Sequence, residues 1–150
     1  ILVIDLDVHP GNGAAGIFRN NPGVYTFSMD GANNYPLHKE VSDLDVPLPD
    51  GTDDKSYLYQ LEKHLDEICS NFVPDFIFFQ SGVDVIETDK LGRLALTISG
   101  CKQRDEIVFR LAHENNIPIV ASMGGGYSPE IKHIIEAHAN TFRTAQYTYF

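Results

Sequence analysis

The segment Ile1-Leu2-Val3-Ile4-Asp5-Leu6-Asp7-Val8-His9 decides the fold. Its opening apolar run suits a strand covered on both faces, as inside a parallel sheet. Asp5, Asp7 and His9 recur at every second position. On a strand over Ile1–Val8 this turns all three side chains to one face near the C-terminal end. Two carboxylates and an imidazole side by side need a cation or dense hydrogen bonding, because an unpaired buried charge is costly. A divalent metal meets that need; acids that cap the following helix are the plainer use of the same residues.

Further strands are expected at Val24–Met29, Val41–Leu48, Asp75–Ser81 and Pro118–Met123. Helices are expected around Ala14–Arg19, over Asp54–Asn71, and over Ser99–Asn115. In the second of these, Tyr57, Leu58, Leu61, Leu65 and Ile68 form an apolar stripe. A last helix should begin near Ser128-Pro129-Glu130, with Ser128 as N-cap and Pro129 in the first turn. Strands alternating with helices predict an α/β fold with a mostly parallel sheet. The long polar loops Asp30–His38 and Gly82–Gly92 follow strands, where open α/β sheets build ligand sites.

The chain has 150 residues, 43% of them hydrophobic, which is enough for one domain with a real core. Eleven basic against 21 acidic residues give a net charge of −10. That argues against direct nucleic-acid binding through a basic surface and is compatible with cationic partners such as lysine-rich peptides or polyamines. Cys69 and Cys101 are isolated, so neither a disulfide framework nor a thiolate zinc site is expected, and a reducing, cytoplasmic setting (or a nuclear one in a eukaryote) fits. No apolar run reaches membrane-spanning length. The chain begins inside a strand without an initiator Met, and the expectation is part of a longer polypeptide.

Three constellations carry chemistry. Pro10-Gly11-Asn12-Gly13 offers a tight turn with positive φ after the first strand, either to curl around an ion or simply to turn the chain. Phe76-Ile77-Phe78-Phe79-Gln80-Ser81-Gly82-Val83-Asp84 brings Asp84 to the same sheet edge as Asp7 and His9, completing the ligand count of an open catalytic zinc site. Asp89-Lys90-Leu91-Gly92 lies in the same loop. Met123-Gly124-Gly125-Gly126-Tyr127 lets the backbone pass close to a ligand and sets a phenol at the pocket mouth, where it can donate to a developing oxyanion.

Asp-x-Asp-Val-His, then Gly-x-Asp with Asp-x-Leu-Gly, then Gly-Gly-Gly-Tyr closely resembles the zinc-dependent histone deacetylases and their bacterial relatives, of the arginase/deacetylase superfamily. His9-Pro-Gly-Asn-Gly13, Asn34-Tyr35-Pro36, Gly51-Thr-Asp-Asp54 and Arg104-Asp-Glu-Ile-Val-Phe109 look most like the class IV branch. The likeness spans nearly the whole chain. It implies a three-layer α/β sandwich, incomplete here, with residues 1–150 as the C-terminal part of one catalytic domain. It also implies Asp7, His9 and Asp84 as ligands of one Zn²⁺, and Tyr127 as the catalytic phenol that polarises the substrate carbonyl. Asp5, with carbonyls near Asp7, His9 and Ser28, would match a structural K⁺ or Na⁺ site. Tyr35 and Leu91 would line the acyl-lysine tunnel, and Gly125 or Gly126 its floor.

Two departures stand out. Pro10 and Asn12 replace a His and an Asp of the commoner His-His-Gly-Asp-Gly pattern. The family's general base, a His-His pair upstream of the first ligand strand, has no counterpart among the six histidines: His38 is in a polar loop, and His64, His113, His133 and His138 lie on helices. The implied parent activity is hydrolysis of an acyl-lysine or acyl-polyamine amide, with the isolated chain weak or inactive for want of its base. The competing reading is a catalytically inactive metal-binding fragment or interaction module of the same fold. A truncated sheet would also expose an edge that invites self-association. Phosphoryl transfer, which also uses Asp-x-Asp at strand ends, lacks its further motifs here.

Overall fold

The computed structural model describes residues 1–150. Five strands, β1 (Leu2–Asp5), β2 (Tyr25–Gly31), β3 (Leu44–Leu48), β4 (Ile77–Ser81) and β5 (Ile119–Met123), form one sheet in the order β3-β2-β1-β4-β5. All four pairings are parallel. The connecting helices are α1 (Asn12–Phe18), α2 (Asp54–Asn71), α3 (Ile98–Glu114) and α4 (Ile131–Tyr149). The α/β architecture with a parallel sheet is as the alternation of apolar runs predicts.

β1 is the central strand because it is apolar on both faces and hydrogen-bonds on both sides. Leu2 lies in register with Tyr25 of β2 and with Ile77 of β4. On one face Leu2, Ile4, Phe27, Ile77 and Phe79 are buried with Tyr57, Leu61, Leu65 and Ile68 of α2 and Val108, Phe109 and Ala112 of α3. α4 packs on α3. The opposite face has only the short α1, whose Ala14 and Phe18 meet Ile1, Val3, Val24 and Phe78 in an apolar hollow. Phe78 remains 47% exposed and Val120 48%. The second helical layer of a three-layer sandwich is therefore represented by α1 alone.

α1 follows β1 on one face, whereas the connection from the β3 edge back to β4 carries α2 on the other. The order thus reverses between β1 and β4, and a crevice opens at their C-terminal ends, where open α/β sheets bind ligands.

Several boundaries differ from expectation for local reasons. β1 ends at Asp5 instead of Val8, and β3 begins at Leu44 instead of Val41. Asp43 accepts the Thr26 N–H at 2.8 Å, so a side chain takes the place of the ladder there. α4 has Glu130 as its N-cap, with no side-chain cap bond. Ser128, expected to cap it, instead donates its hydroxyl to Thr88 Oγ1 at 3.0 Å. The Gly11–Gly13 turn uses no positive φ: Gly51 is the glycine in that region, while Gly11 has φ −71° and Gly13 lies within α1. Gly11 is required for space, since a Cβ there would sit 2.8 Å from Asp5 Oδ2.

Candidate metal centre

Past Asp5 the chain bends away from the sheet instead of continuing its pleat. The Asp5 carboxylate accepts the Asp7 N–H at 3.2 Å, and Asp7 Oδ1 accepts the His9 N–H at 2.9 Å. Two successive Asp side chains folding onto the backbone two residues on make consecutive turns. The spacing of the three residues is thus expressed through side-chain-to-backbone turns, and Asp5 is spent on shaping the first of them. The Val8 carbonyl accepts the Gly31 N–H at 2.9 Å, which ties the turn to the end of β2.

Asp84 arrives from β4. Gly82 lets the two turns touch: a Cβ on it would lie 2.7 Å from Asp7 Cα. Asp84 is fully buried, its Oδ1 accepting the Val8 N–H at 2.9 Å. His9 Nδ1 is 2.9 Å from Asp7 Oδ1 and 3.1 Å from Asp84 Oδ2. Asp7 Oδ2 accepts the Gly125 N–H at 2.8 Å. The donor atoms of Asp7, His9 and Asp84 lie within 4.8 Å of one another, and Asp5 is outside this group.

This set fits a small divalent ion. Tetrahedral zinc bonds of about 2.0–2.2 Å place neighbouring donors about 3.4 Å apart, close to the spacings here. One imidazole and two carboxylates are the donor types such a site uses. The space beside them is kept clear by glycine: a Cβ on Gly125 would fall 1.9 Å from Asp84 Oδ2 and 3.0 Å from Asp7 Oδ2.

The electrostatics set the carboxylates of the centre apart. Burial, and then the Asp7 charge, push the Asp84 carboxyl up to about 7, against the Val8 N–H and His9. Asp7 is held below the usual carboxylate range: burial pushes it up, but the N–H groups of His9 and Gly125 outweigh that. Burial also raises Asp5 to about 7, and the charged neighbours acting on it, Asp7, Asp84 and Asp30, are all acids.

The other residues singled out from the sequence divide. Asp5 and Ser28 are register partners on β1 and β2. Ser28 Oγ accepts the Gly11 N–H at 3.1 Å and lies 3.5 Å from Asp30 Oδ1, whose carboxylate is paired with Lys39. Tyr127 is 47% exposed, and its backbone N–H donates to Asp89 Oδ2 at 2.6 Å. Tyr35 and Leu91 are both exposed, and Nδ2 of Asn34, the residue before Tyr35, donates to the Leu91 carbonyl at 2.8 Å. Gly125 faces the carboxylates, whereas a Cβ on Gly126 would press on Val83 and Ile134, towards the interior. His9 is the one histidine in the ligand group. His38 is exposed in its loop, while His64, His113, His133 and His138 lie on α2, α3 and α4.

Three supporting residues enter the reading of the sequence only as members of motifs, with no task of their own. Asp89 accepts the N–H groups of Leu91 and Gly92, both at 2.8 Å, as well as that of Tyr127, so one carboxylate joins two loops. Asn34 joins a third to them. Arg104 is fully buried beneath the centre. Its signal is visible in retrospect: Arg104 and Asp105 fall on the same helical stripe as Cys101, Val108 and Ala112, where apolar residues belong.

Residues 1–142 match the family model described as the histone deacetylase domain. The chain is 41% identical over 149 residues to an uncharacterized protein of Picosynechococcus sp., covering 99% of this chain and 50% of that protein. It is 34% identical over 138 residues to histone deacetylase 2 of Arabidopsis thaliana, covering 90% of this chain and 36% of that one. The chain therefore spans half the length, or less, of these relatives. In fold it resembles the crystal structure of acetylpolyamine aminohydrolase from Burkholderia pseudomallei, with a TM-score of 0.81 at 24% identity over 96% of this chain and 44% of that one.

Proposed function

This chain belongs to the histone deacetylase domain family, and on that premise we propose that it forms the metal-binding part of a zinc-dependent amide hydrolase acting on an acylated lysine or acylated polyamine. The observation that carries the reading is the convergence of Asp7, His9 and Asp84 from two loops at the switch between β1 and β4. Zinc bound there supplies Lewis acidity for an amide carbonyl and lowers the pKa of a bound water.

In this proposal, His9 presents Nδ1 while Asp7 and Asp84 present carboxylate oxygens, each already oriented by a backbone N–H. Tyr127 donates its phenolic proton towards the oxygen on which negative charge develops. Asp89 holds the backbone of Tyr127 in place for that task. Tyr35 and Leu91 form the walls along which an acyl-lysine chain would run, with Gly125 as the floor. Asp5 and the neighbourhood of Ser28 hold a K⁺ or Na⁺ ion; the burial that raises Asp5, with the acids Asp7, Asp84 and Asp30 adding to it, supports this. Proton abstraction is assigned to a group outside these 150 residues, because no second histidine stands with the ligands. Assignment to the class IV branch rests on the Gly11-Asn12-Gly13 and Arg104–Phe109 motifs.

The test is zinc content after mild dialysis, native against Asp84→Ala, followed by acetate release from an acetyl-lysine peptide and an acetylpolyamine. About one zinc per chain, lost in the variant, with acetate released by the full-length protein, supports the reading. Zinc without any acetate release would favour an inactive metal-binding module. A folded protein with no zinc would overturn both.

A further inference from the structure

Arg104 has the largest fully buried side chain in the molecule, and no step of the reaction uses it. Its Nη1 donates to two backbone carbonyls at once, Leu6 O at 3.1 Å and Gly82 O at 2.5 Å. Leu6 directly precedes Asp7, and Gly82 lies two residues before Asp84. Its Nε donates to Asp105 Oδ1 at 2.8 Å, and Asp105 Oδ2 in turn accepts the Thr141 hydroxyl of α4 at 2.6 Å. The guanidinium also stands 5.8 Å from the centre of the Phe79 ring on β4.

The position of these two carbonyls matters. β1 and β4 are paired as far as Asp5 and Gln80, and the Leu6 N–H reaches the Gln80 carbonyl at 3.1 Å. Beyond that bond β1 has left the sheet and β4 keeps only the pairing of Ser81 with Met123 of β5, so the separation of the two segments sets the distance between the Asp7–His9 turn and Asp84. A planar guanidinium with donors in a fixed fork can hold two carbonyls and a carboxylate simultaneously; an ammonium cannot reproduce that geometry. Arg104 reaches the two ligand turns through their backbone carbonyls, so its contribution is geometric.

We propose that Arg104 is a positioning residue of the metal centre: its guanidinium clamps the Leu6 and Gly82 carbonyls and so sets the convergence of Asp7, His9 and Asp84. This rests on the reading that those three residues hold a divalent metal. α3 and, through Asp105 and Thr141, α4 become the rigid backing of the ligand turns.

The test compares native protein with Arg104→Lys, Thr141→Val and Asp84→Ala. Zinc affinity is measured by chelator competition, the Co²⁺ absorption spectrum reports ligand geometry, and thermal unfolding is followed without metal. Arg104→Lys is expected to weaken zinc binding about 10–100-fold, as loss of support behind a ligand does, and to alter the Co²⁺ spectrum. Thr141→Val, which loosens Asp105 but leaves the clamp in place, should lower the unfolding temperature and keep native zinc affinity and spectrum. If Arg104→Lys does not fold, the uncharged pair Arg104→Met with Asp105→Leu carries the same measurements. Native zinc affinity and spectrum in a folded Arg104 variant, with zinc lost in Asp84→Ala, would overturn the clamp alone. Native affinity in Asp84→Ala as well would instead overturn the metal reading on which it rests.

Discussion

Replacing Gly125 by alanine adds one methyl group where the structure has no room for it. The new Cβ would sit 1.9 Å from Asp84 Oδ2, 2.5 Å from Asp84 Cγ and 3.0 Å from Asp7 Oδ2. To reach ordinary van der Waals contact, the Asp84 oxygen must retreat by more than about 1 Å. It cannot rotate away freely, because Asp84 is fully buried and its other oxygen is held by the Val8 N–H at 2.9 Å. Overpacking of this kind costs about 1–3 kcal/mol. At about 1.4 kcal/mol per tenfold, a cost falling wholly on the ligand geometry weakens zinc roughly 5- to 150-fold. A shift of about 1 Å also exceeds the roughly 0.5 Å tolerance of a working site. Chelator competition on Gly125→Ala reads this directly, with Gly16→Ala as control. A Cβ on Gly16 meets nothing within 4 Å, and Gly16 lies in α1, so that change should leave zinc affinity unaltered. It should also stabilise the protein by about 0.5–1 kcal/mol. Native zinc affinity in a folded Gly125→Ala protein would refute the proposed site geometry.

Two further outcomes follow from the same contacts. Asp89→Ala removes the acceptor of three backbone N–H groups, those of Leu91, Gly92 and Tyr127. Denaturant unfolding should show a loss of about 1–3 kcal/mol, while zinc content stays native, because Asp89 touches none of the three ligands. Burial holds the His138 imidazole below its ordinary 6.5, helped by the Arg104 charge and opposed by Asp105. The unfolded chain therefore takes up this proton first as pH falls. His138 should contribute its full stability above about pH 6.5 and lose it progressively as pH drops towards the lower folded value. His138→Gln should flatten that part of the stability profile; an unchanged slope would mean His138 does not titrate in this window.

Much of the fold is legible from local pattern. The alternation of apolar runs with the stripe at Tyr57, Leu61, Leu65 and Ile68 specifies strands and helices, because burial on two sheet faces or one helix face demands those periods. Boundaries are less legible, since they depend on which side chain displaces a ladder hydrogen bond. Asp5 ends β1 by accepting the Asp7 N–H, and Ser128 leaves its capping role for the Thr88 hydroxyl. Neither partner can be chosen from spacing alone.

The chemical identity of the candidate centre is written in the chain: Asp7, His9 and Asp84 have the donor types for a divalent ion, and each follows an apolar run that must be a strand. Tertiary structure decides whether those donors meet. Asp84 is 75 residues from His9, and their contact depends on β4 pairing beside β1, on Gly82 admitting the Asp7 backbone, and on Gly125 leaving a methyl-sized space. Arg104, Asp89 and Asn34 likewise take their partners from carbonyls and N–H groups brought near by folding. Residue chemistry is a local property that sequence states outright. Convergence to a few ångströms is set by packing and backbone hydrogen bonds between distant segments, and these exist only once the sheet is assembled.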